Sequence, residues 1–259
     1  MGIVNLGVDS FSGDGCAGDS ARAIERGLQL VEEGADILDL GAESSRPGAL
    51  PVSAEEELDR LLPVLEGLRG CGVPISVDTT KPQVMLAASA AGAAMINDIR
   101  ALEEPGALEA VASSALALCL MHMQGRPTTM QRQPQYADVV QEVFDYLEQR
   151  VAAALAAGIA RERLVLDPGF GFGKTLRHNL ALLRHLDRFA LLGLPLLVGL
   201  SRKSMLGAIT DRPVGERLAA SIAAALLCAQ RGANILRVHD VAATRDALAV
   251  LQAVEKEEE

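Results

Sequence analysis

The chain has no tryptophan, and aromatic residues make up only 3% of it. Its core must come from aliphatic side chains, and 49% hydrophobic residues across 259 positions are enough for one substantial domain. Positive charge is also scarce: 24 Lys and Arg against 34 Asp and Glu leave a net charge of −10. That balance excludes a general nucleic-acid surface, and an anionic ligand would need local positive charge. No apolar run reaches the roughly 18 residues of a membrane span, and no basic-then-apolar leader opens the chain. No membrane partner and a cytoplasmic location are the expectation. The four cysteines, Cys16, Cys71, Cys119 and Cys228, show no Cys-x-x-Cys spacing and read as reduced thiols. The four histidines lack zinc-site spacing, and neither His-Glu-x-x-His nor a Gly-x-Ser-x-Gly elbow occurs. The chemistry left open is positioning and charge stabilisation rather than a covalent intermediate. Without a Pro/Ser/Gly-rich linker, residues 1–259 read as one domain, with 255–259 an acidic helix end or frayed tail.

What is present is a six-residue phrase used three times, closed each time by a different polar residue. The copies are Gly34-Ala35-Asp36-Ile37-Leu38-Asp39, Gly92-Ala93-Ala94-Met95-Ile96-Asn97 and Gly232-Ala233-Asn234-Ile235-Leu236-Arg237. Glycine after a helical stretch is a left-handed stop, and the apolar pair that follows reads as a short buried strand. The phrase therefore delivers a polar residue at a strand's carboxyl end, where α/β barrels and doubly wound sheets bind ligands.

Eight strands are expected: 3–6, 37–41, 75–78, 95–98, 117–121, 164–167, 196–199 and 235–238. Helical patterns separate them. Ser53-Ala54-Glu55-Glu56 reads as a capping box, and Pro63 should kink or shorten the helix it opens. Val139, Val140, Val143, Phe144, Leu147, Val151 and Leu155 form a second helical stripe, closed by Gly158. The fold class expected is α/β, a (β/α)8 TIM barrel of one domain with its site at the carboxyl ends of the strands.

Those ends carry Asn5, Asp39 and Glu43, Asp78, Asn97 and Asp98, His122, Asp167, then Ser201, Arg202 and Lys203, then Arg237 and His239. Any one could be an ordinary strand cap; the succession points to a ligand-binding rim. Two halves are expected. Asp78, Asn97 and Asp167 suit the donor-rich edge of an aminopyrimidinone ring. Arg202, Lys203, Arg237 and His239 follow the seventh and eighth strands, where such barrels bind phosphate. The segment Asp167-Pro168-Gly169-Phe170-Gly171-Phe172-Gly173-Lys174-Thr175 superficially suggests a Walker A loop, but Pro168 stands where the first glycine is needed. Its glycines instead allow a flat ligand close to the backbone, with Phe172 available to pack on it and Phe170 equally suited to the core.

Together these stretches resemble the dihydropteroate synthase family of pterin-binding barrels. The matching segments are Met1–Asn5, Asp9–Ser12, Gly41–Gly48, Ser76–Thr79, Asn97–Arg100, Met121–Gly125, Asp167–Lys174, Ser201–Ser204 and Arg237–Asp240, in family order. The resemblance implies a transferase of folate biosynthesis. It joins 6-hydroxymethyl-7,8-dihydropterin pyrophosphate to p-aminobenzoate, giving 7,8-dihydropteroate and pyrophosphate by ionisation before attack. By the same resemblance Asp78, Asn97, Ile99, Met121, Asp167 and Lys203 hold the pterin, with Lys203, Asp78 and Asp167 the catalytic set. Asn5, Ser45, Arg237 and His239 take the pyrophosphate, Asn5 being the Mg2+-associated position. Phe11, Ser45, Arg46, Pro47, Phe172, Ser201 and Lys203 surround p-aminobenzoate, for which sulfonamides compete. Asp9 and Phe11 belong to a mobile first loop, Arg46 to a second, and a homodimer is implied.

The departures lie near the start. Gly7-Val8 stands where the family has Thr-Pro or Thr-Asp, Gly13-Asp14-Gly15 replaces Asp-Gly-Gly, and fewer residues precede the first strand. Two alternatives follow: a pterin-binding paralogue with impaired turnover, or a methyltetrahydrofolate-dependent methyltransferase on the same barrel. The Ser-Arg-Lys-Ser and Arg-Val-His-Asp stretches argue against the second.

Overall fold

A computed structural model describes residues 1–7, 16, 18–44 and 49–256. Strands and helices alternate along it. The first half runs β1 (Gly2–Asn5), α1 (Ser20–Glu32), β2 (Leu38–Gly41), α2 (Ala54–Gly67), β3 (Ile75–Asp78), α3 (Pro82–Ala90), β4 (Met95–Asp98) and α4 (Ala107–Ala112). The second runs β5 (Ala117–Met121), α5 (Val139–Ala156), β6 (Leu164–Asp167), α6 (Leu176–Arg184), β7 (Leu197–Val198), α7 (Ser204–Thr210), α8 (Leu218–Gln230), β8 (Ile235–Leu236) and α9 (Val241–Lys256).

The strands pair in parallel and in sequence order, β1 through β6 in one sheet and β7 with β8 in another. Single bridges close the ring. Leu166 pairs with Leu196, joining β6 to β7, and Gly2 pairs with Val238, joining β8 to β1. The result is the eight-stranded (β/α)8 barrel, with the helices outside. Seven of the eight strands fall within one residue of expectation at each end; β8 stops two residues short at Leu236, with Val238 in the single bridge to Gly2.

The repeated phrase does what its glycine implied. Gly34, Gly92 and Gly232 have φ of 93°, 95° and 90° after α1, α3 and α8. Each is followed by an N–H that reaches back into the last turn, as in Ala35 N to Leu30 O at 2.9 Å, Ala93 N to Ala88 O at 2.9 Å and Ala233 N to Cys228 O at 3.0 Å. Ser53 and Glu56 form the expected capping box. Pro63 does not shorten α2, which continues to Gly67. Pro63 and Asp59, whose carbonyl loses its partner there, are both on the exposed side, so water can take the freed acceptor.

Alternation along each strand sorts the core into two. Val4, Leu38, Leu40, Val77, Ile96, Leu118, Leu120, Leu164, Leu166, Leu196 and Val198 point outward into the packing with the helices. The other set meets inside the barrel: Met1, Met95, Cys119, Val165 and Leu197, with Ile37, Ala117 and Ile235 against them. That apolar plug fills the lower barrel. Because side chains on one face recur every second residue, the next inward positions are Asp39, Asn97, Met121, Asp167 and Arg237. The plug thus sets the floor, and its strands present polar residues above it.

Candidate active site

The three residues that close the repeated phrase meet. Asp39 is fully buried, and its Oδ2 accepts from Arg237 Nε at 2.6 Å and from Asn97 Nδ2 at 3.3 Å. Arg237 NH2 also reaches Asp78 Oδ2 at 3.1 Å. Burial works against a charge on Arg237, but Asp39 and Asp78 outweigh it and hold the guanidinium charged. Burial raises Asp78 to about 7, with Arg237 opposing. Asp39 Oδ1, Asn97 Oδ1 and Ser76 Oγ are buried without a hydrogen-bond partner among the described residues. Such atoms carry unmet demand, which a polar ligand can satisfy.

Asp167 stands at the end of β6, also raised by burial, and its Oδ1 accepts from Gly169 N at 2.7 Å. Lys203, at the N-terminus of α7, turns toward it. The Lys203 ammonium donates to Phe170 O and lies 4.7 Å from the centre of the Phe172 ring. Burial lowers Lys203 to about 8, opposed by Asp167. Gly171 leaves room for this side chain, since a Cβ there would stand 3.4 Å from Lys203 Cδ at a φ of 82°. Phe170 is wholly buried and belongs to the core.

Ser201 and His239 form a second pair, with Ser201 Oγ 2.9 Å from His239 Nδ1 and accepting from His239 N at 3.2 Å. Ser201, expected on the p-aminobenzoate side, is thereby tied to His239, a residue expected in the anion pocket. Ile99 and Met121 are buried at the ends of β4 and β5. Asn5 ends β1, and its carbonyl accepts from Cys16 N at 3.0 Å. Phe11, Ser45, Arg46 and Pro47 lie outside the described residues, as does Asp9.

The expectation of separate acidic and basic halves is corrected. Arg202 pairs in a fork with Asp240, Nε to Oδ2 at 3.0 Å and NH2 to Oδ1 at 2.5 Å, while Arg237 sits between Asp39 and Asp78. Ring closure brings β8 beside the first strands, and a guanidinium in a low-dielectric interior takes carboxylate neighbours. Asp98 is the ordinary cap that single strand-end residues can be: it accepts from Arg100 N and Leu102 N, each at 2.8 Å. Asp39, counted in the rim but assigned to neither half, belongs to this centre; its place in the repeat, matching Asn97 and Arg237, carries the signal. Lys174, dismissed with the Walker pattern, is buried against His122 and the loop carbonyls, not aimed at a phosphate site.

Residues 1–239 match the family described as pterin binding enzyme. The chain belongs to the pterin-binding enzyme family. It is 51% identical to the dihydropteroate synthase of Haemophilus influenzae over 256 residues, covering 98% of this chain and 92% of that protein. A crystal structure of Yersinia pestis dihydropteroate synthase in a sulfonamide drug complex superposes with a TM-score of 0.96 at 46% identity, covering 99% of this chain and 93% of that one. A Xanthomonas albilineans dihydropteroate synthase in complex with 7,8-dihydropteroate superposes with a TM-score of 0.86 at 51% identity, covering 98% and 92%. None of the four cysteines forms a disulfide among the described residues, and no helix among them is long and apolar enough to cross a membrane.

Proposed function

We propose that this protein is the transferase that condenses 6-hydroxymethyl-7,8-dihydropterin pyrophosphate with p-aminobenzoate, releasing pyrophosphate and 7,8-dihydropteroate. The observation that carries the reading is the inward polar layer directly above the apolar plug: Asp78, Asn97 and Asp167, with Lys203 and Arg237 beside them. The pterin stands on that layer. Asp78 and Asp167 accept from its ring N–H and NH2 groups, Asn97 offers its unmatched carbonyl oxygen, and Ile99 and Met121 pack against it. Arg237 and His239, with Ser45, hold the pyrophosphate. Phe172, Ser201, Lys203, Phe11, Arg46 and Pro47 form the side that takes p-aminobenzoate and competing sulfonamides.

The C–O bond to pyrophosphate breaks first, its electron pair leaving on the departing oxygen. The pterin cation is stabilised by Asp78 and Asp167, and the leaving anion by Arg237 and His239. The arylamine nitrogen then attacks with its lone pair and loses a proton. Alignment of the two substrates contributes further, up to roughly 7–11 kcal/mol in favourable systems.

The described residues contain no group of three or more His, Cys, Asp or Glu suited to a metal ion. Asn5 would offer its one amide oxygen to an Mg2+ ion, which takes few protein ligands at phosphate sites. When bound there it supplies charge neutralisation for the leaving group. Homodimerisation is supported by α8, whose outer side is apolar too: Leu218, Ala219, Ala223 and Leu227 are exposed. A cytoplasmic site of action suits cysteines that form no disulfide among the described residues.

The test is product formation from the dihydropterin pyrophosphate and Mg2+, with and without p-aminobenzoate. Dihydropteroate dependent on both substrates is expected. Saturable pterin binding without product would turn the reading to a binding paralogue, and sedimentation at a mass other than two chains would refute the dimer.

A further inference from the structure

Lys174 ends the glycine-rich segment, and the reaction outlined above makes no use of it. Its amine is buried, 2.8 Å from His122 Nδ1, 2.9 Å from Gly169 O, 3.0 Å from Phe172 O and 3.3 Å from His122 O. All four partners are uncharged, for burial and then the neighbouring lysine push His122 down to about 2. Burial lowers Lys174 itself well below its ordinary value. In either charge state the amine keeps two N–H donors for the two loop carbonyls.

The lysine lies in a seam between two stretches of backbone. A Cβ on Gly169 would stand 1.9 Å from His122 O, and one on Gly173 2.3 Å from Gln124 O, at φ of 70° and 62°. The loop after β6 is therefore pressed, backbone to backbone, onto the segment after β5, and Lys174 joins the two. What it holds is next to the chemistry. The Phe172 carbonyl is tied to Lys174 while the Phe172 ring covers the Lys203 ammonium, and the same loop supplies Phe170 O to that ammonium. Two lysines thus hold one loop by its carbonyls.

We infer that Lys174 is a positioning residue for the p-aminobenzoate side of the site, holding Gly169 O and Phe172 O so that Phe172 stays over Lys203. The inference rests on the reading that Phe172 and Lys203 receive p-aminobenzoate. An apolar side chain at position 174 would leave the loop carbonyls unserved and free Phe172 to leave Lys203.

The test compares wild type with Lys174→Met, measuring thermal unfolding, dihydropterin pyrophosphate binding and the KM for p-aminobenzoate separately. The expected result is a folded variant whose KM for p-aminobenzoate rises about tenfold, the scale of one or two lost hydrogen bonds, with pterin affinity within about twofold. In a Phe172→Leu background the same substitution should add little, because its target is already gone. A folded variant with wild-type KM, or equal losses for both substrates, would overturn the inference. Should Lys174→Met not fold, Lys174→Gln is read in its place: its amide nitrogen sits one bond short of the lysine amine and serves the loop carbonyls poorly, so the KM for p-aminobenzoate should still rise; failure of both to fold assigns the lysine to folding alone and overturns it too. Wild-type protein that neither binds nor condenses p-aminobenzoate removes the underlying functional reading, and that failure shows before any substitution is made.

Discussion

Arg237 and Asp39 are 198 residues apart in the chain, yet Arg237 Nε lies 2.6 Å from Asp39 Oδ2. Both close a copy of the same phrase, and Asn97, which closes the third, donates to the same oxygen at 3.3 Å. A helix stop, a two-residue apolar run and one polar residue, used on β2, β4 and β8, build a single hydrogen-bonded centre. The carboxylate fixes a cation and an amide at once, before any ligand arrives. Such order costs no reorganisation during reaction, which is how fixed charges contribute most.

Asp39→Ala should therefore act on stability as well as turnover. It leaves a half-buried guanidinium with Asp78 as its remaining carboxylate partner at hydrogen-bond distance. Breaking one side of a buried pair costs about 3 kcal/mol or more. Urea unfolding should show a lower midpoint with an unchanged slope. An equally stable variant would mean that Arg237 does not depend on Asp39.

Asp78→Ala and Asp167→Ala should each weaken pterin binding by about 10- to 100-fold, the loss of a hydrogen bond to a charged group, while the fold persists. They should differ at the other substrate. Asp167 also receives Gly169 N, so its loss loosens the glycine-rich loop and raises the KM for p-aminobenzoate; Asp78 has no such bond. Titration calorimetry with the dihydropterin pyrophosphate measures the shared loss and the KM for p-aminobenzoate separates the two; retained pterin binding in either variant would dismantle the pocket assignment.

The same two burial effects set a pH window. Asp78 is raised to about 7, so its ionised form is lost as pH falls through that value. Lys203 is lowered to about 8, so its ammonium is lost as pH rises through it. Since kcat/KM reports groups of the free enzyme, it should trace a narrow bell between those limbs. Stability runs the other way. Asp78 binds its proton more tightly folded than unfolded, so its contribution falls as pH rises from about 4 to 7. Lys203→Arg should move the alkaline limb upward, because a guanidinium stays charged; an unmoved limb would assign that limb to another group.

Much of this arrangement was legible in the sequence, because barrel grammar is local. The glycine stops, the capping box at Ser53 and the alternation that lifts Asn97 and Asp167 above Met95 and Val165 each depend on a few consecutive residues. Partner choice is not local. That Arg202 would go to Asp240 while Arg237 crossed to Asp39 depends on which strands become neighbours when the ring closes. The role of Lys174 was hidden for the same reason: its acceptors come partly from His122, 52 residues earlier.

Ser201 offers the sharpest division between reading by resemblance and reading by contact. The family pattern puts it beside p-aminobenzoate; its Oγ accepts from His239 N and lies 2.9 Å from His239 Nδ1. If the bond to His239 dominates, Ser201→Ala removes one tie on the imidazole and weakens the grip on pyrophosphate. Loss of one neutral hydrogen bond is worth about 0.5–1.5 kcal/mol, so the KM for the dihydropterin pyrophosphate should rise roughly two- to twelvefold. The KM for p-aminobenzoate should then stay within about twofold, because the Phe172 and Lys203 contact does not pass through Ser201. Steady-state kinetics with each substrate varied in turn decides it. A rise confined to p-aminobenzoate would return Ser201 to that side and leave His239 held by its backbone, whose carbonyl accepts from Arg26 NH2 at 3.1 Å.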